Sequence, residues 1–112
     1  MTEQLVELPA FLRIRTRFIT MQQDRHDRLE ELLAATTRGR DPEAALKEAR
    51  SILHTIGGTA GSLGFDVLGS AAGRVELLID AHFENGSEDV AAIAAEIDAF
   101  LDISLDTIDP SA

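Results

Sequence analysis

Cysteine is absent from this sequence. That excludes disulfides, zinc–thiolate sites, iron–sulfur clusters and thiol nucleophiles. Tryptophan and tyrosine are absent too, and five phenylalanines are the whole aromatic complement. The stacking platforms of nucleic-acid binders therefore lack material. Positive charge is scarce after residue 50: Arg74 stands there against eleven acids, and this half carries the whole net charge of −10. Nucleic acid is excluded as a partner by that balance. No apolar run approaches the roughly 18–20 residues that span a bilayer. The opening residues Met1-Thr2-Glu3-Gln4-Leu5 are acidic and start no apolar core, so they form no signal peptide. These absences lead to the expectation of a free-standing cytoplasmic protein that touches no membrane.

What is present points to helices. The 112 residues make one domain, since domains run to roughly 100–200 residues. Alanine, leucine, glutamate and arginine are plentiful and β-branched runs are few. Residues 1–50 balance nine basic against nine acidic side chains. The acidic half reads first as a solvated helix surface, and second as a field that steers the chain toward a basic patch on a partner.

Glycine and proline punctuate the chain. In Arg38-Gly39-Arg40-Asp41-Pro42 a helix stops and another starts, with Asp41 as N-cap and Pro42 in the first turn. Leu63-Gly64-Phe65-Asp66 reads as a C-cap glycine followed by an N-cap at Asp66. Glu84-Asn85-Gly86-Ser87 reads as another stop, with Ser87 as cap and Glu88 and Asp89 favourable in the first turn.

Between these marks the apolar residues recur at three and four. A first helix runs from about Pro9 to Thr37, with a break near Gln22–Arg25, and turns Phe11, Ile14, Phe18, Met21, Leu29, Leu32 and Leu33 inward. A second spans Pro42 to Leu63, with Leu46, Ala49, Leu53, Ile56, Ala60 and Leu63 on one stripe. A third spans Val67 to Phe83 and a fourth Glu88 to Ile108. Short loops make sequential helices antiparallel neighbours. The expected fold is all-α: a single up-and-down antiparallel four-helix bundle over residues 1–112, with room for a short extra N-terminal helix. A complete core within one chain favours a monomer.

One stretch breaks its own helix rule. Residues 54–64 read His54-Thr55-Ile56-Gly57-Gly58-Thr59-Ala60-Gly61-Ser62-Leu63-Gly64. Each interior glycine costs roughly 0.5–1 kcal/mol against alanine, so some other gain must offset the three of them. His54 lies about 100° round from Leu53 and off the core stripe, with almost no side chains on the turn beyond it. Such an imidazole can be approached closely by another protein. A neutral imidazole has a nucleophilic lone pair near neutral pH. Phosphoryl transfer needs mainly positioning and charge neutralisation, which a donor domain can bring with its own metal ion. Gly69 and Gly73 add a second smooth strip, read chiefly as helix packing.

At these residues the chain resembles the histidine-containing phosphotransfer (HPt) domain family, whose pattern is His-x-x-Lys/Arg-Gly-x5-Gly. His54 matches the phosphoacceptor, Gly58 the first glycine and Gly64 the second. The Ala60-Gly61-x-Leu63-Gly64-Phe65 continuation is similar to the version in chemotaxis-type histidine kinases. The resemblance covers about Phe11 to Leu105. It implies a phosphorelay carrier with no kinase activity of its own and no cofactor. The implied partners are response-regulator receiver domains that hold Mg2+, often with a hybrid histidine kinase. It implies a docking surface of Arg50, Ser51, Gly57, Gly58, Gly61 and Ser62. One position departs: Gly57 stands where the family has Lys or Arg. That cation eases the charge of the phosphoryl group, so the departure bears on rate rather than fold. Arg50, at i−4, and Lys47, a turn further, are the candidates to replace it.

Other readings stand beside this one. An HPt-like interaction module would bind a receiver without taking phosphate, because Gly57 lacks the cation. The dimerisation region of a histidine kinase carries an acidic residue after its histidine and a nearby proline, whereas this chain has Thr55 and no proline there. His26, in a charged stretch, reads as solvated, and His82 as capping carbonyls at a helix end. The three histidines lack the i, i+4 spacing of a metal site.

Overall fold

The computed structural model describes residues 2–86 and 89–110, with side chains from residue 9 onward. Four helices follow in order: α1 (Thr2–Thr37), α2 (Pro42–Thr59), α3 (Asp66–Asn85) and α4 (Val90–Ile108), with a single 3-10 turn, Gly61–Leu63, after α2. Each helix packs on the next and α4 closes back on α1. This is the expected antiparallel bundle.

The signals at the chain's stops work largely as the residues suggest. Asp41 takes a left-handed backbone, which Asp tolerates, and its carboxylate accepts the Ala44 amide at 3.3 Å. Gly64 (φ 89°) and Gly86 (φ 61°) end their helices left-handed. Two caps differ from expectation. Asp66 is already the first residue of α3, so its charge favours the helix N-terminus while Phe65 holds the cap position. Ser87 and Glu88 lie outside the described residues. The cap of α4 is Asp89, which accepts the Ala91 amide at 3.2 Å.

The core holds Leu46, Ala49, Leu53, Ile56, Ala60 and Leu63, as the stripe of the second helix predicts, with Leu68, Val75, Ile79, Ile93, Ile97 and Phe100 across from them. The α-helix ends at Thr59, however, and the last turn tightens to 3-10. Ala60 and Leu63 stay buried through that change. A tightened last turn is a common way to satisfy carbonyls at a helix end.

The first helix departs furthest. It does not break near Gln22–Arg25, and the extra N-terminal helix is continuous with it. No glycine or proline interrupts residues 10–38. With 36 residues α1 is nearly twice the length of its neighbours. At 1.5 Å per residue it accounts for the 54 Å long axis of the molecule. It therefore outruns the bundle. Phe18, Leu29 and Leu32 are buried, but Phe11, Ile14 and Met21 are exposed. At the bundle's end Arg15 closes the structure. Its Nε donates to the Leu63 carbonyl at 3.0 Å and its guanidinium lies 4.6 Å from the Phe65 ring, which stacks on Phe18.

Candidate functional site

The site lies where α2 and α3 approach each other. A Cβ on Gly69 would lie 3.4 Å from both Ala60 Cβ and the Gly61 amide, and one on Gly57 would lie 3.7 Å from the Gly69 carbonyl and Gly73 amide. Gly57 and Gly69 thus bring backbone against backbone, and Gly57 is half-buried on this seam rather than on the outer surface. Gly58 and Gly61 are different. They are exposed, and a Cβ on Gly58 would meet nothing within 4 Å.

His54 stands one turn before these glycines, with its side chain 76 % exposed. Its Nδ1 lies 2.8 Å from Oε2 of Glu76 on α3. A carboxylate only accepts, so Nδ1 carries the proton and donates. The lone pair is then on Nε2, at the far side of the ring. Glu76 is itself only 19 % exposed, so the anchor is firmer than the ring it holds. Lys47, Arg50 and Ser51 share with His54 and Glu76 a shallow groove of about 250 Å³. Arg50 is ion-paired through Nε to Asp80. The guanidinium is thereby held beside the histidine, and it retains donors for an anion. Ser62 is exposed on the 3-10 turn, where its hydroxyl donates to the Thr59 carbonyl at 2.8 Å. Gly64 supplies the left-handed cap rather than a contact surface.

Glu76 and Asp80 are the residues that sequence reasoning passed over. A signal existed. They continue the Gly69–Gly73 strip at three- and four-residue steps, so they lie on the same face of α3 toward α2. Of the two other histidines, one differs from expectation. His26 is not solvated: its side chain is 13 % exposed, Nδ1 lies 2.9 Å from Ser104 Oγ, and Nε2 lies 3.4 Å from Glu30. His82 Nε2 lies 2.8 Å from the Glu43 carboxylate at the start of α2. Only His54 among the three presents its ring to solvent. Among the described residues no three His, Asp or Glu side chains converge as a metal site, and no helix is long and apolar enough to cross a membrane.

The family model of the Hpt domain matches residues 13–108. The chain belongs to the Hpt domain family, and its role is phosphotransfer in two-component phosphorelays, where Hpt domains work with receiver domains and histidine kinases. Searches of the curated proteins and of the solved structures return no match.

Proposed function

We propose that His54 accepts a phosphoryl group from the phosphoaspartate of one receiver domain and passes it to the aspartate of another. The observation that carries this reading is the exposed ring with Nδ1 fixed on Glu76. The Nε2 lone pair attacks phosphorus in line. The P–N bond forms as the P–O bond to the aspartate breaks, and the bonding pair leaves with the carboxylate. The ring becomes cationic, and Glu76 stabilises it through the Nδ1 proton. Mg2+ would come with the receiver and would neutralise charge on the transferring group, so this reading gives the chain no cofactor and no kinase activity of its own. Lys47 and Arg50 take the place of the missing cation at Gly57, approaching from the preceding turns of α2. Ser51, Gly58, Gly61 and Ser62 form the surface that meets the receiver, with Gly57 beneath it. A carrier of this kind works in the cytoplasm, beside its receivers.

The absence of a basic residue at Gly57 favours one second reading, a module that binds receivers without chemistry. One experiment separates them. The chain is incubated with a phosphorylated receiver and assayed for acid-labile, alkali-stable phosphate. The carrier takes up label, and His54→Gln takes up none. Glu76→Gln and Arg50→Ala each slow uptake by about 10-fold or more. A wild-type chain that binds the receiver but never acquires label establishes the module instead.

A further inference from the structure

The face turned away from His54 is built from α1 and α4, and nothing among the described residues covers it. Between the last turns of α1 and the first turns of α4 lies an open groove of about 690 Å³. Leu33, Ala34, Ala94 and Leu101 line it, Glu30 and Asp98 edge it, and no basic residue is among its lining. At the opposite end of α1 the helix overruns the bundle, with Phe11, Leu12 and Ile14 exposed. Residues 9–21 carry Arg13, Arg15 and Arg17 and no acid. Arg13 and Arg17 enter no ion pair among the described residues. A stretch of α1 with three arginines and exposed apolar side chains and an acidic-edged apolar groove thus belong to one chain, at opposite ends of one helix.

We propose that the overhang of α1 seats in the α1–α4 groove of a second copy, and reciprocally, in an antiparallel twofold dimer. Leu12, Ile19, Glu30 and Thr37 follow one another at seven, eleven and seven residues, close to whole numbers of turns at 3.6 residues each. Leu12 and the groove therefore share one face of α1. Two antiparallel α1 helices bring each Leu12 to the other chain's groove at the same time. Both contacts form in one closed dimer, and no open filament results. Ala34, Ala91, Ala94 and Ala95 leave the depth that a close helix approach requires. Attraction between the cationic segment and the acidic edge favours the antiparallel alignment over a parallel one, which would set like charges together. Both His54 rings remain on outer faces, so the inference stands independently of the phosphotransfer reading. A monomer is the natural expectation from a complete core, but the core leaves this second apolar face uncovered.

Sedimentation over about 1–100 μM chain, at low and high salt, tests the dimer directly. The expected result is a monomer–dimer equilibrium that weakens as salt rises. The exposed-site variants Leu12→Glu and Ala91→Glu each raise the dimer Kd by about 10-fold or more with unchanged helical circular dichroism. Reversing Arg13 and Arg17 to Glu weakens the dimer, and reversing Glu30 and Asp98 to Arg in the same chain restores it. A chain that stays monomeric throughout overturns the proposal. So does a dimer that Leu12→Glu and Ala91→Glu leave untouched.

Discussion

Where α2 meets α3, the helices come close by having no side chains: Gly57 and Gly69 set backbone against backbone beneath His54. Where α1 meets α4, the space is filled instead by a buried polar chain. Gln22 Nε2 donates to Ser104 Oγ at 2.9 Å, and Ser104 lies 2.9 Å from His26 Nδ1. The two seams use histidine in opposite ways. His54 is anchored at one nitrogen and leaves the other in water. His26 has partners at both nitrogens, Ser104 and Glu30, and little exposure. A histidine is available for chemistry when its seam supplies one partner, and is structural when the seam supplies two. The glycines give up helix stability beneath the exposed ring, and the polar cluster ties α1 to α4 on the other side.

Crowding the glycine seam is the most damaging way to break this contrast without touching the ring. Gly69→Leu forces side-chain atoms into Ala60 and the Gly61 backbone, which are already at 3.4 Å from a Cβ. The expected loss is about 2–3 kcal/mol, the range for overpacked cores. Chemical denaturation measures it. Because the same displacement moves Glu76 away from His54, phosphate uptake should fall further than the folded fraction does. Gly69→Ala is the control. Its gain in helix propensity, about 1 kcal/mol, offsets a contact that is only tight, and stability should stay nearly unchanged. A Gly69→Leu chain of wild-type stability would mean that close approach is not what these glycines provide.

The polar seam breaks by a different rule. Ser104→Ala leaves Gln22 Nε2 and His26 Nδ1 without their partner, and Gln22 Oε1 is already buried with none. An unsatisfied buried group costs about 1–3 kcal/mol, whereas removing both members of a pair is nearly neutral. Ser104→Ala should therefore destabilise by about 1–2 kcal/mol, and adding Gln22→Leu should recover much of that loss. Denaturation midpoints of the two single variants and the double variant close the cycle. Additive losses would show that the cluster does not act as a unit.

The two seams also differ in how far they were legible beforehand. The α2 stripe, the stops at Gly39, Gly64 and Gly86, and the exposed His54 follow from local spacing, and local spacing is what a sequence displays. Phe11, Ile14 and Met21 have the same spacing as Phe18, yet they are exposed. Periodicity marks a face of a helix but cannot say where the neighbouring helices end. Glu76 reaches His54 across 22 residues, and only the packing of α3 on α2 reveals it. Gln22 and His26 are both polar, and His26 reads as solvated for that reason. Their positions between Phe18 and Leu29, on the core face, outweigh that.

The smallest expected effect lies on the outer edge of the α1–α2 contact, where neither seam is involved. Arg28 grips Glu48 with Nε and Nη2 at 2.5 and 2.7 Å and reaches Glu31 with Nη1 at 2.8 Å. The hydrogen bonds from Arg28 hold the Glu48 carboxyl below its ordinary 4.5, against the small opposing effect of burial. A carboxyl with a lowered folded-state value stabilises the fold above the unfolded value, and that contribution disappears as pH falls through the folded one. Wild type and Glu48→Gln should therefore differ near pH 7 and converge below Glu48's depressed value. Both partners are largely exposed, so water and salt screen the pair, and the difference at neutral pH should be slight and should shrink as salt rises. Thermal melts of the two chains across that range decide it. If the gap persists in acid, the contribution of Glu48 is packing of its side chain against α1 rather than its charge.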